Sequence, residues 1–475
     1  TFTENFDPPG AEARSTGFTY TVADADGIEA SAQATISVAA EPGLTVTTLD
    51  DQLDAPADFR ANGVSLREAI RFSNDNPDVD GDGLPNVITF ESDLAGGVVT
   101  LSDAFTDPVS GSPRMVITEP VTIEGSGVTV SGDVAGDDIV SGTGTPQLLS
   151  SFFDELLVDN VPLFGVATGG AVTISNLTMQ SGVESAEEGG AISGGAIRSF
   201  GGPVDLTLDT VEVVGNGVIG SGFAKGGAIS LGETGDSLVV TSSVISGNAA
   251  IDEGASGAEG GAIFGYDVAL GSTEVSDNTA ESFSSFAKAG GVSSVNTLGL
   301  ASSTVSSNLA FGDTALGGGV HALGDVDVRS SSIIENEAIT FESGGLDAFG
   351  GGIYYKAEDG TLFNVDAGSS VSDNLAEQRT FAGGVTGLPT DAAGGGIFFD
   401  LELLPTGTFT LVLPSGVATA NLASSANFVS VGNDVAHTDF GGGTIFAGPP
   451  PLPAVAPLEM PDFEAAAAAD EAIFR

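Results

Sequence analysis

Hydrophobic and polar positions along this chain alternate in short runs, the period of a strand rather than of a helix. Near the N-terminus, Phe18-Thr-Tyr-Thr-Val22 and Ala32-Gln-Ala-Thr-Ile-Ser-Val38 flank an Asp26-Gly27 pair. Asp-Gly tolerates the positive φ of a tight turn, so these runs predict a β-hairpin. Two strands alone bury no core. The pattern switches once to helical spacing, where Leu66, Ala69 and Ile70 share a face. Ser65 and Glu68 open that stripe as an S-x-x-E capping box, predicting a short helix through about Phe72. Such a helix covers the exposed edge that a stacked sheet leaves at its end.

From about residue 170 the pattern repeats. A small-residue turn with an apolar follower recurs at Gly189-Gly-Ala-Ile192, Gly226-Gly-Ala-Ile229, Gly260-Gly-Ala-Ile263, Gly290-Gly-Val292, Gly317-Gly-Gly-Val320, Gly351-Gly-Ile353, Gly395-Gly-Ile397 and Gly442-Gly-Thr-Ile445. Between these turns, strands end in Asn248, Asn278, Asn308, Asn336 and Asn374, spaced 30, 30, 28 and 38 residues apart. Self-similarity near this period marks a solenoid. The repeats are rich in Val, Ile, Thr and Ser with period-2 alternation, which excludes a helical solenoid. One coil then holds three short strands and three turns, and like residues stack about 4.8 Å apart. An Asn at one turn of every coil can pass amide hydrogen bonds along the stack. The fold class is all-β, a parallel β-helix of about eleven coils and near 50 Å long at that spacing.

Composition narrows the function. Twelve basic and 65 acidic side chains give a net charge of −53, which excludes a basic nucleic-acid-binding surface. No apolar run is long enough to cross a bilayer as a helix. The absence of cysteine excludes disulfides, thiolate zinc sites and thiol nucleophiles. The 41% hydrophobic content and 28 phenylalanines argue against a disordered acidic chain.

Phe164-Gly-Val-Ala-Thr-Gly-Gly-Ala-Val-Thr-Ile-Ser-Asn-Leu-Thr178 and the Gly-Gly-Ala-Ile turns resemble bacterial right-handed β-helix surface proteins, including polymorphic outer-membrane proteins. Val46-Thr-Thr-Leu-Asp-Asp51, Val64-Ser-Leu-Arg-Glu-Ala-Ile70 and Val87-Ile-Thr-Phe90 resemble the "CSLREA" segment that opens many such folds, with Val64 in place of its cysteine. The resemblance spans about residues 44 to 447 and implies the right hand, secretion and a bacterial cell-surface location. The N-terminal hairpin resembles the end of a cadherin-like or immunoglobulin-like repeat, implying a longer precursor. The expected organisation is a hairpin module over 1–42, an opening segment with cap helix and acidic loop over 43–90, a β-helix over 91–447, and a Pro-rich tail with a short helix over 448–475.

Candidate chemistry is sparse. Asp78-Val-Asp80-Gly-Asp82-Gly83-Leu-Pro-Asn86 places oxygens at positions 1, 3, 5 and 9 of a calcium-loop pattern. Thr89 stands where a bidentate Glu would complete an EF-hand, so Asp78, Asp80, Asp82 and Asn86 suggest a looser calcium loop, against the alternative of a solvated acidic turn. Asp24, Asp26, Asp50 and Asp51 are further calcium candidates at a domain junction. Lys225 and Lys288 each precede a Gly-Gly turn and are expected to pair with acids along one edge. His321 and His437 are too far apart for a shared site, and His321 is expected on an exposed strand face. Phe264, Phe341, Phe349, Phe398 and Phe399 are expected to stack in the core. No catalytic constellation stands out, and four tyrosines without tryptophan speak against a processive polysaccharide enzyme.

The expected function is a surface structural protein, a filament or surface-layer subunit self-associating through its N-terminal strands or C-terminal tail. The alternatives are an adhesin module with a glycan or protein ligand, and a calcium-dependent polysaccharide lyase or hydrolase.

Overall fold

In the computed structural model the described residues are 14–23, 29–38, 44–54, 62–79, 83–107, 110–134, 160–167, 169–186, 191–341, 347–356, 360–379, 391–393, 395–400, 410–413, 417–419, 422–424 and 435–437. They form a parallel β-solenoid with about 32 residues per turn and one short helix. The N-terminal strands Arg14–Ala23 and Glu29–Val38 pair antiparallel, with Ala23 opposite Glu29 at the Asp-Gly end.

Each turn is divided into five short segments instead of three longer strands. In one turn these are Ile229–Leu231, Ser237–Thr241, Val244–Ser246, Ala249–Asp252 and Ala258–Glu259. The extra breaks come from single residues in the left-handed region. Ser242, Gly247 and Gly260 bend this turn at φ of 51°, 63° and 68°. In the next turn Ser272, Asp277 and Ala289 do the same without glycine, so stacking holds a conformation that side chains ordinarily avoid.

The first three segments stack into one sheet of 27 strands, and the fourth and fifth form sheets of eight and seven. The second segment alone forms an unbroken parallel ladder from Thr45–Val46 to Thr410–Val412. Complete turns number about seven, fewer than the eleven coils expected from the sequence, because among the described residues the fourth- and fifth-segment sheets begin only at Val183 and Ile192.

Two cores result. The large one lies inside the first three segments and is filled by stacked Ile, Val and Leu, such as Ile197, Ile229, Ile263, Val292, Val320, Ile353 and Ile397. The second is a thin arm between the fourth and fifth segments, filled almost entirely by alanine: Ala250, Ala280, Ala310 and Ala338 face Ala224, Ala258, Ala287 and Ala315. A neck joins the two. There one glycine of each Gly-Gly turn, the residue after the left-handed one, lies against the backbone of the fourth segment, and a Cβ on Gly227 would sit 2.1 Å from Gly261 O and 2.4 Å from Ala249 O. Close backbone approach, as much as positive φ, therefore accounts for the Gly-Gly repeat. Of the two Gly-Gly-Ala-Ile stretches near residue 190, the turn is made by Gly194-Gly195-Ala196-Ile197, whose Ile197 stacks on Ile229. Ile192 instead belongs to the fifth-segment ladder opposite Ala224.

Helix α1, Leu66–Asp75, runs three residues beyond Phe72. Leu66, Ala69 and Ile70 are buried in the large core, and Val64 packs beside them.

Candidate functional site

The polar residues of the opening segment are committed to holding it. Ser65 Oγ accepts the Glu68 amide at 3.2 Å, and the Glu68 carboxylate accepts the Ser65 amide at 2.9 Å. The same carboxylate takes the Asp54 amide at 2.7 Å. Arg67 clasps Asp51 through Nε and Nη2 at 2.7 and 2.9 Å and lies over the Phe105 ring. Asp51 also accepts the Ser102 amide, so this carboxylate joins α1 to the wall instead of facing a cation site. Arg114 is fully buried between Phe164 O, Ser193 O and Glu184. Burial pulls its pKa down to about 10 against the opposing pull of Glu184, leaving it charged at neutral pH.

The acidic loop divides. Asp78 is exposed and accepts the Gly83 amide at 3.3 Å. Asn86 is buried: its amide donates to Ser73 Oγ and Asn76 O and accepts from the Val79 amide, tying the end of α1 to the strand Asn86–Phe90. Asp80 and Asp82 lie outside the described residues, as do Asp24 and Asp26. Among the described residues no group of three or more His, Asp or Glu side chains is placed to hold a metal.

Asn248, Asn278, Asn308, Asn336 and Asn374 form one continuous ladder, and Asn216 extends it downwards. Each Oδ1 accepts the side-chain amide of the preceding asparagine at 2.9–3.0 Å and its backbone amide at 2.9–3.1 Å. Each Nδ2 also donates to a carbonyl one turn below, as Asn278 does to Ile245 O. The signal for Asn216 was in plain view, 32 residues before Asn248 and after a Val-Val-Gly. A second ladder runs through Ser243, Thr273, Ser303, Ser331 and Ser369 at the corner between the second and third segments. There the Thr273, Ser303 and Ser331 amides donate to the hydroxyl one turn above. Sequence reasoning missed it, because serine is abundant enough to hide a spacing of 28 to 38 residues.

The cluster with chemical variety lies where the outer face of the first segment meets the fifth, outside the Gly-Gly turns. One column there stacks Arg198, Ser230, Phe264, Ser293, His321, Tyr354 and Phe398. The facing column stacks Lys225, Glu259, Lys288, Leu316 and Phe349. Side chains cross between them: Lys225 Nζ lies 4.3 Å from the Phe264 ring centre, and Phe349 stacks on Phe398 at 4.3 Å. Ser293 Oγ donates to Glu259 at 2.8 Å and lies 3.2 Å from His321 Nδ1, which is 3.5 Å from the same carboxylate. His321 stacks on Tyr354, whose hydroxyl donates to Asp400 at 2.6 Å.

His321 is 2% exposed, correcting the expectation of an exposed strand residue; the neighbouring ring and ladder cover it. Burial first, then Lys288 and Lys356, push its pKa well below the ordinary histidine value, so it is neutral. Because the Ser293 hydroxyl donates to Glu259, its proton points away from His321 Nδ1, an order opposite to a base withdrawing a proton from serine. Ser293 is itself 1% exposed. Phe264, Phe349 and Phe398 pack in this outer seam instead of the core expected for them, Phe399 packs in the large core, and the Phe341 side chain lies outside the described residues.

Lys225 and Lys288 share one edge with Glu259 between them, and Lys288 Nζ reaches that carboxylate at 4.0 Å. Both ammonium groups also sit over phenylalanines, Lys225 over Phe223 and Lys288 over Phe286. The residue before the left-handed turn residue (Gly226, Gly260, Ala289, Gly317 or Gly350) and the residue after the following Ile or Val make up the seam, a rule legible in the repeat once the turn register is known.

No family model, no curated protein and no solved structure matches this chain.

Proposed function

We propose that the protein is a structural component of a bacterial cell surface, a rod-shaped subunit of a filament or surface layer. The observation that carries this reading is the use made of its buried polar groups. Asn ladder, Ser/Thr ladder, Arg67, Arg114, Glu68 and the Glu259–Ser293–His321 cluster all bind neighbouring parts of the scaffold. Asp236 and Asp252 behave likewise: each is fully buried and takes several donors from its own loop and an adjacent turn, the preceding one for Asp236 and the following one for Asp252. Buried polar groups paired in this way hold each turn in register with the next, and the result is a stiff stack. Stiffness suits a load-bearing surface element.

The secreted location rests on the resemblance of the opening segment and the acidic composition, and the self-association on the N-terminal strands and the C-terminal tail. Negative-stain electron microscopy of the purified protein, in calcium and after chelation, tests the reading. Filaments or sheets support it, and their loss on chelation adds a bridging cation. Separate rods in both conditions overturn self-assembly and leave the adhesin reading to a glycan-binding screen.

A further inference from the structure

The seam concentrates the scarce positive charge. Seven cations occur between residues 91 and 447, and five of them, Arg114, Arg198, Lys225, Lys288 and Lys356, lie along this one edge. Phe223 and Phe286 stand half-buried beside the two lysines, edge to face at 5.5 Å. The charge alternates by rung: Lys225, Glu259 and Lys288 occupy successive turns, with the central Glu259 recessed against Ser293.

Across the neck the pattern is reversed. The outer column of the third segment reads Glu212, Val244, Glu274 on the same three turns, and all three are exposed. The corner beside it carries exposed Asp277, Glu335 and Asp373. Burial and the neighbouring Glu274 raise the pKa of Asp277, as expected of carboxylates crowded together. The two edges lie on opposite sides of the molecule, because the Gly-Gly turns and the Asn corner meet back to back inside the neck. A Cβ on Gly319 would sit 2.8 Å from Asn336 Cγ.

We propose that the basic seam of one rod receives the acidic ridge of a second copy, side by side and in axial register. In that register Glu212 meets Lys225 of the neighbour, Glu274 meets Lys288, and uncharged Val244 faces the recessed Glu259. Among these six side chains no like charges meet. Shifting the rods by one turn would set Glu259 against a ridge carboxylate. Because seam and ridge are different surfaces on opposite sides, the contact is heterologous and leaves a free seam and a free ridge on every pair, so it propagates into a row. This rests on the self-assembly reading and names its lateral interface.

Cysteine cross-linking tests the register, since the native chain has no cysteine. Glu274→Cys with Lys288→Cys on one chain is expected to give a ladder of disulfide-linked oligomers on mild oxidation. Glu212→Cys with Lys288→Cys, two turns or about 10 Å out of register, is expected to give none, being beyond disulfide reach. Charge reversal supplies the second arm. Lys225→Glu with Lys288→Glu should lower assembly at least tenfold by sedimentation, and mixing with Glu212→Lys, Glu274→Lys chains should restore it. Assembly that is unchanged by reversal overturns this interface and leaves the filament reading standing. A protein that remains monomeric at every concentration and salt overturns both. Loss of binding to polygalacturonate on reversal, with assembly unchanged, would reassign the seam to an anionic glycan.

Discussion

Asn278 shows what one side chain does in this architecture. Its amide donates to Asn308 Oδ1 and Ile245 O, and its Oδ1 accepts both amides of Asn248, so one residue binds three turns. Asn278→Ala removes these partners and strands buried donors in Asn248. The expected cost is about 2–4 kcal/mol, more than one ordinary hydrogen bond, because unsatisfied buried groups carry their own penalty. Urea unfolding measures it, and hydrogen exchange should show the loss concentrated in the turns on either side. His321 makes a different prediction. Its folded pKa lies well below the unfolded value near 6.5, so below that pH the unfolded chain binds the extra proton first. Stability is therefore present above about pH 6.5 and lost as pH falls below it. The groups facing the ring set the sign: Lys288 and Lys356 oppose protonation, Glu259 favours it, and Ser293 and Tyr354 exclude water. His321→Gln should flatten the fall in urea midpoint between pH 7.5 and 5 relative to the native chain; an unchanged slope assigns acid sensitivity to carboxylates elsewhere.

At the scale of the element, the alanine arm is the thinnest part of the structure. Ala280 packs between Ala250 and Ala310 of its own ladder, with the alanines of the fifth segment opposite. Ala280→Leu has no void to fill and should cost about 1–3 kcal/mol by overpacking, while Ala280→Ser should cost less. The melting temperatures of the two variants check this order. The elements also show how far the chain could be read. Ser65-x-x-Glu68 specifies a cap by local hydrogen bonding alone, and the asparagine spacing specifies a ladder because one turn of the chain returns to the same corner. The arm was not legible in this way. Nothing local in Ala-Glu-Gly-Gly-Ala-Ile263 says that Ala258 and Ala262 enter different cores; that follows from the left-handed bend at Gly260 and the neck behind Gly261. The burial of His321 was hidden for the same reason, since the covering column comes from the far side of a turn whose position the sequence left open.

The whole molecule is governed by its charge. The second-segment ladder, ten steps of about 4.8 Å from Thr45–Val46 to Thr410–Val412, rises to roughly 50 Å, of the same order as the screening length of about 30 Å at 0.01 M salt. In that medium each carboxylate feels most of the others, and a net charge of −53 opposes the compact state. At 0.15 M the screening length is about 8 Å, less than two rungs, and repulsion becomes local. Sodium chloride should therefore raise the melting temperature steeply up to about 0.15 M and little beyond. Calcium separates screening from binding. At matched ionic strength, an ion held by the Asp78–Asn86 loop should add a further rise that chelation reverses and that Asp78→Asn, Asp80→Asn, Asp82→Asn removes, because those carboxylates are the only ligands changed. Asn86 is left intact in that variant, since its amide already ties Ser73, Asn76 and Val79 together and its loss would unfasten α1 for a reason unrelated to metal. Equal melting temperatures in sodium and calcium salts would assign the acidic surface to screened repulsion alone. The lateral contact responds oppositely: salt that strengthens the single rod weakens the attraction between seam and ridge. Assembly should thus be greatest at intermediate salt, where rods are folded and their edges still attract, and light scattering across a salt series locates that maximum.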